Sequence, residues 1–457
     1  MTEATSAPPR LLVADQVAGS VRLLDLPDGR ERGLVEGRHL AEHAGFLALP
    51  GDRTAFVDDL AGELVVLDPY GLDAGRPLVE ATVPVAIPAE HLAADPSGRL
   101  LAVTTGLGHN WEPWSDVLTA VDLAAPGGPR AVRVRTDAGE PGVTVLGPSA
   151  PTGPADGPNA GAPTGPSALA HPTGSADSAA PTGPLDDADA LVVLRHRHPG
   201  SLTAYRHAEL MAAAPACPPA VPAAALPLTD DDGHGDAHDP LTGWVFAAAG
   251  SGVHRARRAG GSLVREEPLP WGGPGRGYYL RLDPARRVLW SCVRGGPADP
   301  GRWPEWSNHA WWHGLDSGTV GRLPLGPGLV FRLAVAARHV AYARVHPDGD
   351  ELVLIATDSD TPRITARLPL PAMDGAPRPG GTPWDGVQRR AIAASPGSSL
   401  VAVTRGGHGE IHLVDADSAS NQNAPVTTLS VPTPLNDGGH LALVSPGSGA
   451  HGDTVGR

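Results

Sequence analysis

Short apolar runs of 5 to 8 residues, alternating with period 2, recur along the whole chain, and each ends in a turn rich in Pro, Gly or Asp. One unit repeats: an apolar run, a Pro/Gly turn, a second run ending in small or polar residues, and a third run ending near Asp. It reads GFLALPGDRTAFVDD then ELVVLDPY over 45 to 70, and HLAADPSGRLLAVTTG then DVLTAVDL over 91 to 123. It returns as YLRLDPARRVLWSCVRGG (279 to 296), RLAVAARHVAYARVHPDGDELVLIATD (332 to 358) and AIAASPGSSLVAVTRGGHGEIHLVDAD (391 to 417). A unit of about 40 to 50 residues suits one four-stranded propeller blade, and helical windows are essentially missing.

The pattern therefore predicts an all-β chain, a single β-propeller over 1 to 457 with eight blades, or seven if the irregular fourth unit is misread. The blades divide as 10 to 38, 39 to 86, 87 to 137, 138 to 226, 227 to 272, 273 to 327, 328 to 374 and 385 to 435. The first lacks an innermost strand, because LLVADQ begins almost at the amino terminus. The C-terminal run HLALVSP (440 to 446) can supply it and close the ring. Residues 147 to 186 repeat PTGP three times and hold too little apolar material to fold, which predicts a disordered insertion in the fourth blade.

Composition narrows the partners. A net charge of -15 and a pI near 5.6 leave no basic face for nucleic acid. With 41% hydrophobic residues and a mean hydropathy of -0.13, no run of about 18 apolar residues exists to span a membrane. Cys217 and Cys292 are too few for a disulfide framework or a four-thiolate metal site. Met1 to Arg10 has no basic stretch followed by an apolar core, so the expected location is the bacterial cytoplasm.

The D-P-S-G-R and V-D-L rhythm resembles that of bacterial YVTN and WD40-like propellers, across nearly the whole chain. That resemblance implies a fold, and function has to come from a site. In such a ring the segments leading into each innermost strand share a face with the loops joining the second strand to the third. The lead-ins are AEH (41 to 43), AEH (89 to 91), GEP (139 to 141), GHGDAH (233 to 238), GRGYY (275 to 279), GLVF (328 to 331), QRR (388 to 390) and GGH (438 to 440). Five of the 19 histidines lie in these lead-ins, and His109, His196, His198, His309, His346 and His408 lie in the second set of loops.

On one arc stand His440, His43, His91, Glu140, His234 and His238, a donor set for a divalent transition metal such as Zn, Fe or Cu. Arg276, Phe331, Arg389 and Arg390 stand on the other, where guanidinium groups could orient an anionic substrate. Glu42, Glu90, Arg276 and Arg389 are the candidate catalytic groups. Counted back from Pro50 and Pro96, His43 and His91 differ in depth by about 7 Å at the rise of a strand. Exposed loop histidines that bind nothing are the competing explanation.

GHNWEPWSD (108 to 116) and GRWPEWSNH (301 to 309) both carry W-x-x-W-S. Trp111, Trp114, Trp303 and Trp306, with Tyr279 and His309, are candidates for the walls of a ligand pocket. Glu112, Glu305, Trp311, Trp312 and His313 would extend those walls. The alternative is that each Trp pair packs on a neighbouring blade as a structural lid.

Two metal-binding propeller families add expectations. GHGDAH resembles the H-G-[ED]-A motif of zinc-chaperone propellers, which would nominate His234 and Asp236. The set His43, His91, His238 and His440 is similar in arrangement to the four-histidine iron site of carotenoid-cleaving oxygenases, with Glu42, Glu90 and Glu140 behind it. Three classes of function follow. One is a metal-dependent oxidoreductase, lyase or hydrolase acting on a small anionic or carbonyl-bearing molecule. The others are a metal- or ligand-binding protein without catalysis, and a scaffold for protein partners.

Overall fold

The computed structural model describes residues 7–106, 115–137, 142–148, 190–197, 199–230, 235–259, 261–359, 361–384, 386–419 and 426–447. Eight antiparallel four-stranded sheets form an eight-bladed propeller. Seven blades are consecutive meanders, and their limits follow the sequence division. The eighth sheet is composite: the last strand, His440–Val444, pairs with the first, Arg10–Asp15, from Arg10↔Val444 to Ala14↔His440. The ring is thereby closed as the sequence predicts.

Apolar side chains occupy both faces of most inner strands, because each sheet is sandwiched between two others. Eight buried clusters result, and each joins one neighbouring pair of blades. Leu47, Leu64, Leu92 and Val103 tie blade 2 to blade 3, for example, and Leu11, Ile411, Leu413 and Leu441 tie blade 1 to blade 8. The V-D rhythm has a local cause. Asp58 Oδ1 accepts from the backbone N–H of Leu60 at 3.0 Å and of Ala61 at 3.1 Å, and Asp95 Oδ1 accepts from Leu100 N at 2.9 Å. Such a side chain satisfies turn amides that the ladder leaves open.

The inner strand of blade 4, Gly142–Leu146, pairs with Leu191–Arg197, and Leu146 faces Leu191. The strand ends at Leu146 and Leu191, which flank the low-complexity segment in the sequence, lie on the face opposite the lead-ins. Residues 149–189, which hold nearly all of it, lie outside the described residues. Among the described residues no helix is long and apolar enough to cross a membrane.

Leu441 is 1% exposed and sits on the closing strand inside the cluster shared by blades 1 and 8. Leu441→Ala is expected to cost about 2 to 5 kcal/mol, as for other buried leucines. The urea unfolding midpoint checks this, and an unchanged midpoint would mean that the closing strand carries little of the fold's stability.

Candidate functional site at the mouth of the ring

The lead-ins of blades 6, 7, 8 and 1 converge on a narrow pocket of about 20 Å³ at one end of the central channel, lined by Tyr279, Phe331, Arg332, Arg389, Arg390, Ala391, Asp437, Gly439 and His440. Backbone irregularity puts several of them there. The pairing of blade 6 shifts register between Tyr278 and Leu280, so Tyr279 bulges out with φ +58°. In blade 7 the shift falls between Val330 and Leu333, which frees Phe331 and Arg332 from the ladder. In blade 3 it falls between Ala89 and His91, and Glu90 is the extra residue. A bulge re-aims a side chain that a regular strand would bury against its neighbour.

The lead-in of blade 1 is also strained. Asp437 has φ +45°, one of five non-glycine residues with positive φ among the described residues; Tyr279 is another. Such conformations cluster where function requires them. A Cβ on Gly438, whose φ is +98°, would lie 2.0 Å from the Arg389 carbonyl oxygen. Only glycine lets the turn and the blade 8 lead-in approach so closely.

Electrostatics divide the mouth. Arg389 lies over Phe331, 5.6 Å from the ring centroid, and its Nη2, buried without a hydrogen bond, is 3.7 Å from Asp437 Oδ2. Arg390 is a structural residue by contrast: its Nε donates to Asp350 Oδ2 at 2.8 Å, its Nη1 to Thr404 O at 3.0 Å, and its Nη2 to Pro371 O. His440 is buried, with no hydrogen-bond partner at Nδ1. Burial, with help from Arg332 and His43, pushes its pKa well below the ordinary value, which favours the neutral ring.

Carboxylates gather on the side formed by blades 1 to 3. Buried Glu90 meets His43 Nδ1 at 2.6 Å, and Glu42 accepts from Asn436 Nδ2 at 3.3 Å. Burial pushes the Asp59 carboxyl up to about 6, against a hydrogen bond from Ala89 N. Burial raises Asp437 as well, aided by the Glu42 charge.

The other sequence candidates separate. His43 precedes its strand, while His91 lies half-buried inside Ala89–Ala94 and His238 is buried within Asp236–Asp239, so they enter at different depths. Among the described residues no three His, Cys, Asp or Glu side chains come together as a metal-ligand group, and the four-histidine set does not converge. Asp236 is taken up by Arg195, whose Nε donates to its Oδ1 at 2.8 Å. The zinc-chaperone motif is thus occupied structurally at its acidic position. His109, Trp111, Glu112, Trp114, Glu140, His198 and His234 lie outside the described residues.

Trp303 and Trp306 form a lid rather than pocket walls. They are buried with Leu329, Val345 and Met373, and their Nε1 groups donate to the carbonyls of Arg378 at 3.2 Å and Pro297 at 2.8 Å. Trp311 and Trp312 pack between blades, and Glu305 is ion-paired with Arg302. His309 is half-buried on the third strand of blade 6, and Arg276 is exposed, 5.2 Å from the Tyr278 ring centroid. Sequence reasoning missed Arg332, Asp437 and Gly438. The available signal was position: Arg332 directly follows GLVF, Asp437 directly precedes GGH, and Gly438 opens GGH.

No family model and no curated protein matches the sequence. Solved structures do match. Apo AztD from Citrobacter koseri superimposes with a TM-score of 0.60 at 12% identity, covering 96% of this chain and 99% of that chain. A second structure of Citrobacter koseri AztD gives 0.58 at 13%, covering 97% and 99%. The dihydro-heme d1 dehydrogenase NirN in complex with DHE gives 0.52 at 15%, covering 96% of this chain and 78% of that chain. At these identities the likeness establishes the propeller fold.

Gly438→Ala is expected to cost at least about 1 to 3 kcal/mol, the scale of forced backbone strain. Urea unfolding checks it; a variant as stable as the parent would contradict the close approach at Arg389.

Proposed function

We propose that this propeller binds a small anionic molecule, a carboxylate or phosphate, at the mouth of its ring. The observation that carries the proposal is the buried Nη2 of Arg389, which lines the pocket without a hydrogen bond. A buried guanidinium N–H without a hydrogen bond is costly, and an anionic oxygen would satisfy it where the Asp437 carboxylate, 3.7 Å away, stops short. Arg332 lines the same pocket and adds positive charge, while neutral His440 supplies a polar wall. The bulges at Tyr279 and Phe331–Arg332 support the reading, since they orient these side chains before any ligand arrives. Small-molecule binding on a similar fold has a precedent in NirN, whose structure is a complex with DHE.

Isothermal titration with acetate and with inorganic phosphate tests this. Arg389→Gln removes one charge-assisted contact, worth about 1.5 to 3 kcal/mol, and should weaken binding roughly 10- to 100-fold. Heat signals that are absent for both anions, or are unchanged in the variant, would contradict the proposal.

A divalent metal is the second reading, favoured by the Glu90–His43 pair near His440. A carboxylate on the far nitrogen of an imidazole is the arrangement that orients a ligating histidine. Two imidazoles fit Zn, Fe or Cu, and His43 and His440 would hold the ion. Bound there, such an ion would supply Lewis-acid polarisation of a ligand held by Arg389. Elemental analysis of purified protein should then find about one equivalent of metal, lost in His43→Ala. Metal-free protein whose anion binding ignores chelator would remove this reading and leave the first intact.

A further inference from the structure

A second cleft opens on the far face of the ring, between blades 6 and 7. The turn between the first and second strands of blade 6 bounds it at Arg286 and Arg287. The turns before the outermost strands bound it at Ser317 and Thr319 of blade 6 and at Thr357 and Ser359 of blade 7. These turns lie at the strand ends opposite the lead-ins, and the cleft shares no lining residue with the mouth. Its volume of about 480 Å³ is that of a small-molecule site.

Trp290 and Trp312 form the floor, with ring centroids 5.8 Å apart and exposures of 1% and 7%. Gly321 makes room for Trp312, since a Cβ there would lie 2.0 Å from the indole Cζ2. Both indole Nε1–H groups are buried without a hydrogen-bond partner, and so is the hydroxyl of Thr357, itself 7% exposed. Each has given up water with no partner inside the fold in return. Arg287, in a left-handed conformation with φ +53°, is held by Asp239 at 2.8 and 2.9 Å and by Asp316 at 2.8 Å. Arg286 is likewise taken up, by Asp283 at 3.1 Å and by the carbonyls of Thr357 at 3.0 Å and Ala337 at 2.7 Å.

Charge decides the class of ligand. With both guanidinium groups matched, the exposed carboxylates of Asp316 and Asp358 at the rim would repel an anion. A cation would compete with Arg287 for Asp316 and with Arg363 for Asp358. An apolar molecule would leave the N–H groups of the floor unpaired. A neutral polyol suits every part: its oxygens accept from the two indoles and Thr357, and its hydroxyls donate to the rim carboxylates, which keep lone pairs open. Its C–H face packs on Val288 and Pro362, which line the same cleft.

We propose that this cleft binds a neutral saccharide, whose oxygens reach Trp290, Trp312 and Thr357 and whose remaining hydroxyls face the rim. A free sugar and the end of a longer glycan share that chemistry.

Calorimetry on the full chain with glucose, galactose, mannose and N-acetylglucosamine, each free and as its methyl glycoside, tests this. At least one should bind with a Kd of about 10 mM or tighter, and a preference for the glycoside marks the glycan end. Thr357→Val keeps the shape and removes the hydroxyl. It should weaken that sugar roughly three- to tenfold, the scale of one hydrogen bond, while the urea midpoint stays no lower than the parent's, because no partner is lost. Trp312→Phe should weaken it by a similar factor, with circular dichroism confirming the fold. Inorganic phosphate, the probe for the mouth, should not compete. No binding by any of these sugars at about 50 mM, affinities unchanged in both variants, or displacement by phosphate would overturn the inference.

Discussion

The pairing of the last strand with the first is the contact on which the rest of the structure depends. Without it, Arg10–Asp15 would be an unpaired edge and the eighth sheet would have three strands. Two of the apolar clusters, those joining blade 1 to blades 8 and 2, draw on residues of the closing strand, Leu441 and Leu443 in one and Ala442 and Val444 in the other. Closure therefore completes backbone hydrogen bonding and core packing together, and it removes the exposed edges that make open sheets prone to association. It also builds the site, because the closing strand starts at His440 and the turn before it holds Asp437. Stability and binding geometry are set by one short segment.

The second constraint is the set of bulges at the start of the inner strands. A regular inner strand sends alternate side chains into the two inter-blade cores. The extra residues at Glu90, Tyr279 and Phe331–Arg332 break that alternation, so that Tyr279, Phe331 and Arg332 line the pocket and buried Glu90 meets His43. The left-handed backbones of Tyr279 and Asp437 cost stability, which the surrounding sheets hold in check. A channel rim assembled this way is preorganised, with Arg389 of blade 8 held 3.7 Å from Asp437 of the blade 1 lead-in.

Much of the fold was legible in the sequence because its signals are local. Turn residues and period-two runs mark each blade, and HLALVSP (440 to 446) stands out as a strand lacking a blade of its own. The face that carries the lead-ins followed from blade register, whereas the expected opposition of Arg389 to His440 did not hold, because the lead-ins of blades 8 and 1 are neighbours and both side chains line one pocket. What stayed hidden depends on long-range pairing. Arg389 and Arg390 look alike in sequence, yet Asp350 of the preceding blade takes only the second. Asp236 sits in a metal-like motif, yet Arg195 of blade 4 holds it. Trp303 and Trp306 read as pocket walls, and their indole N–H groups found carbonyl partners in a lid instead. Bulges leave no composition signal, so Arg332 could not be separated from the core positions around it.

The account's central claim is that an anion sits at the mouth, against Arg389 and Arg332. The most direct test is an anomalous difference map from a crystal soaked in sodium arsenate, a phosphate analogue whose position is read without ambiguity. The account predicts a peak within the pocket, in hydrogen-bonding reach of the Arg389 guanidinium. Peaks confined to the outer surface, with only ordered water at the mouth, would contradict it.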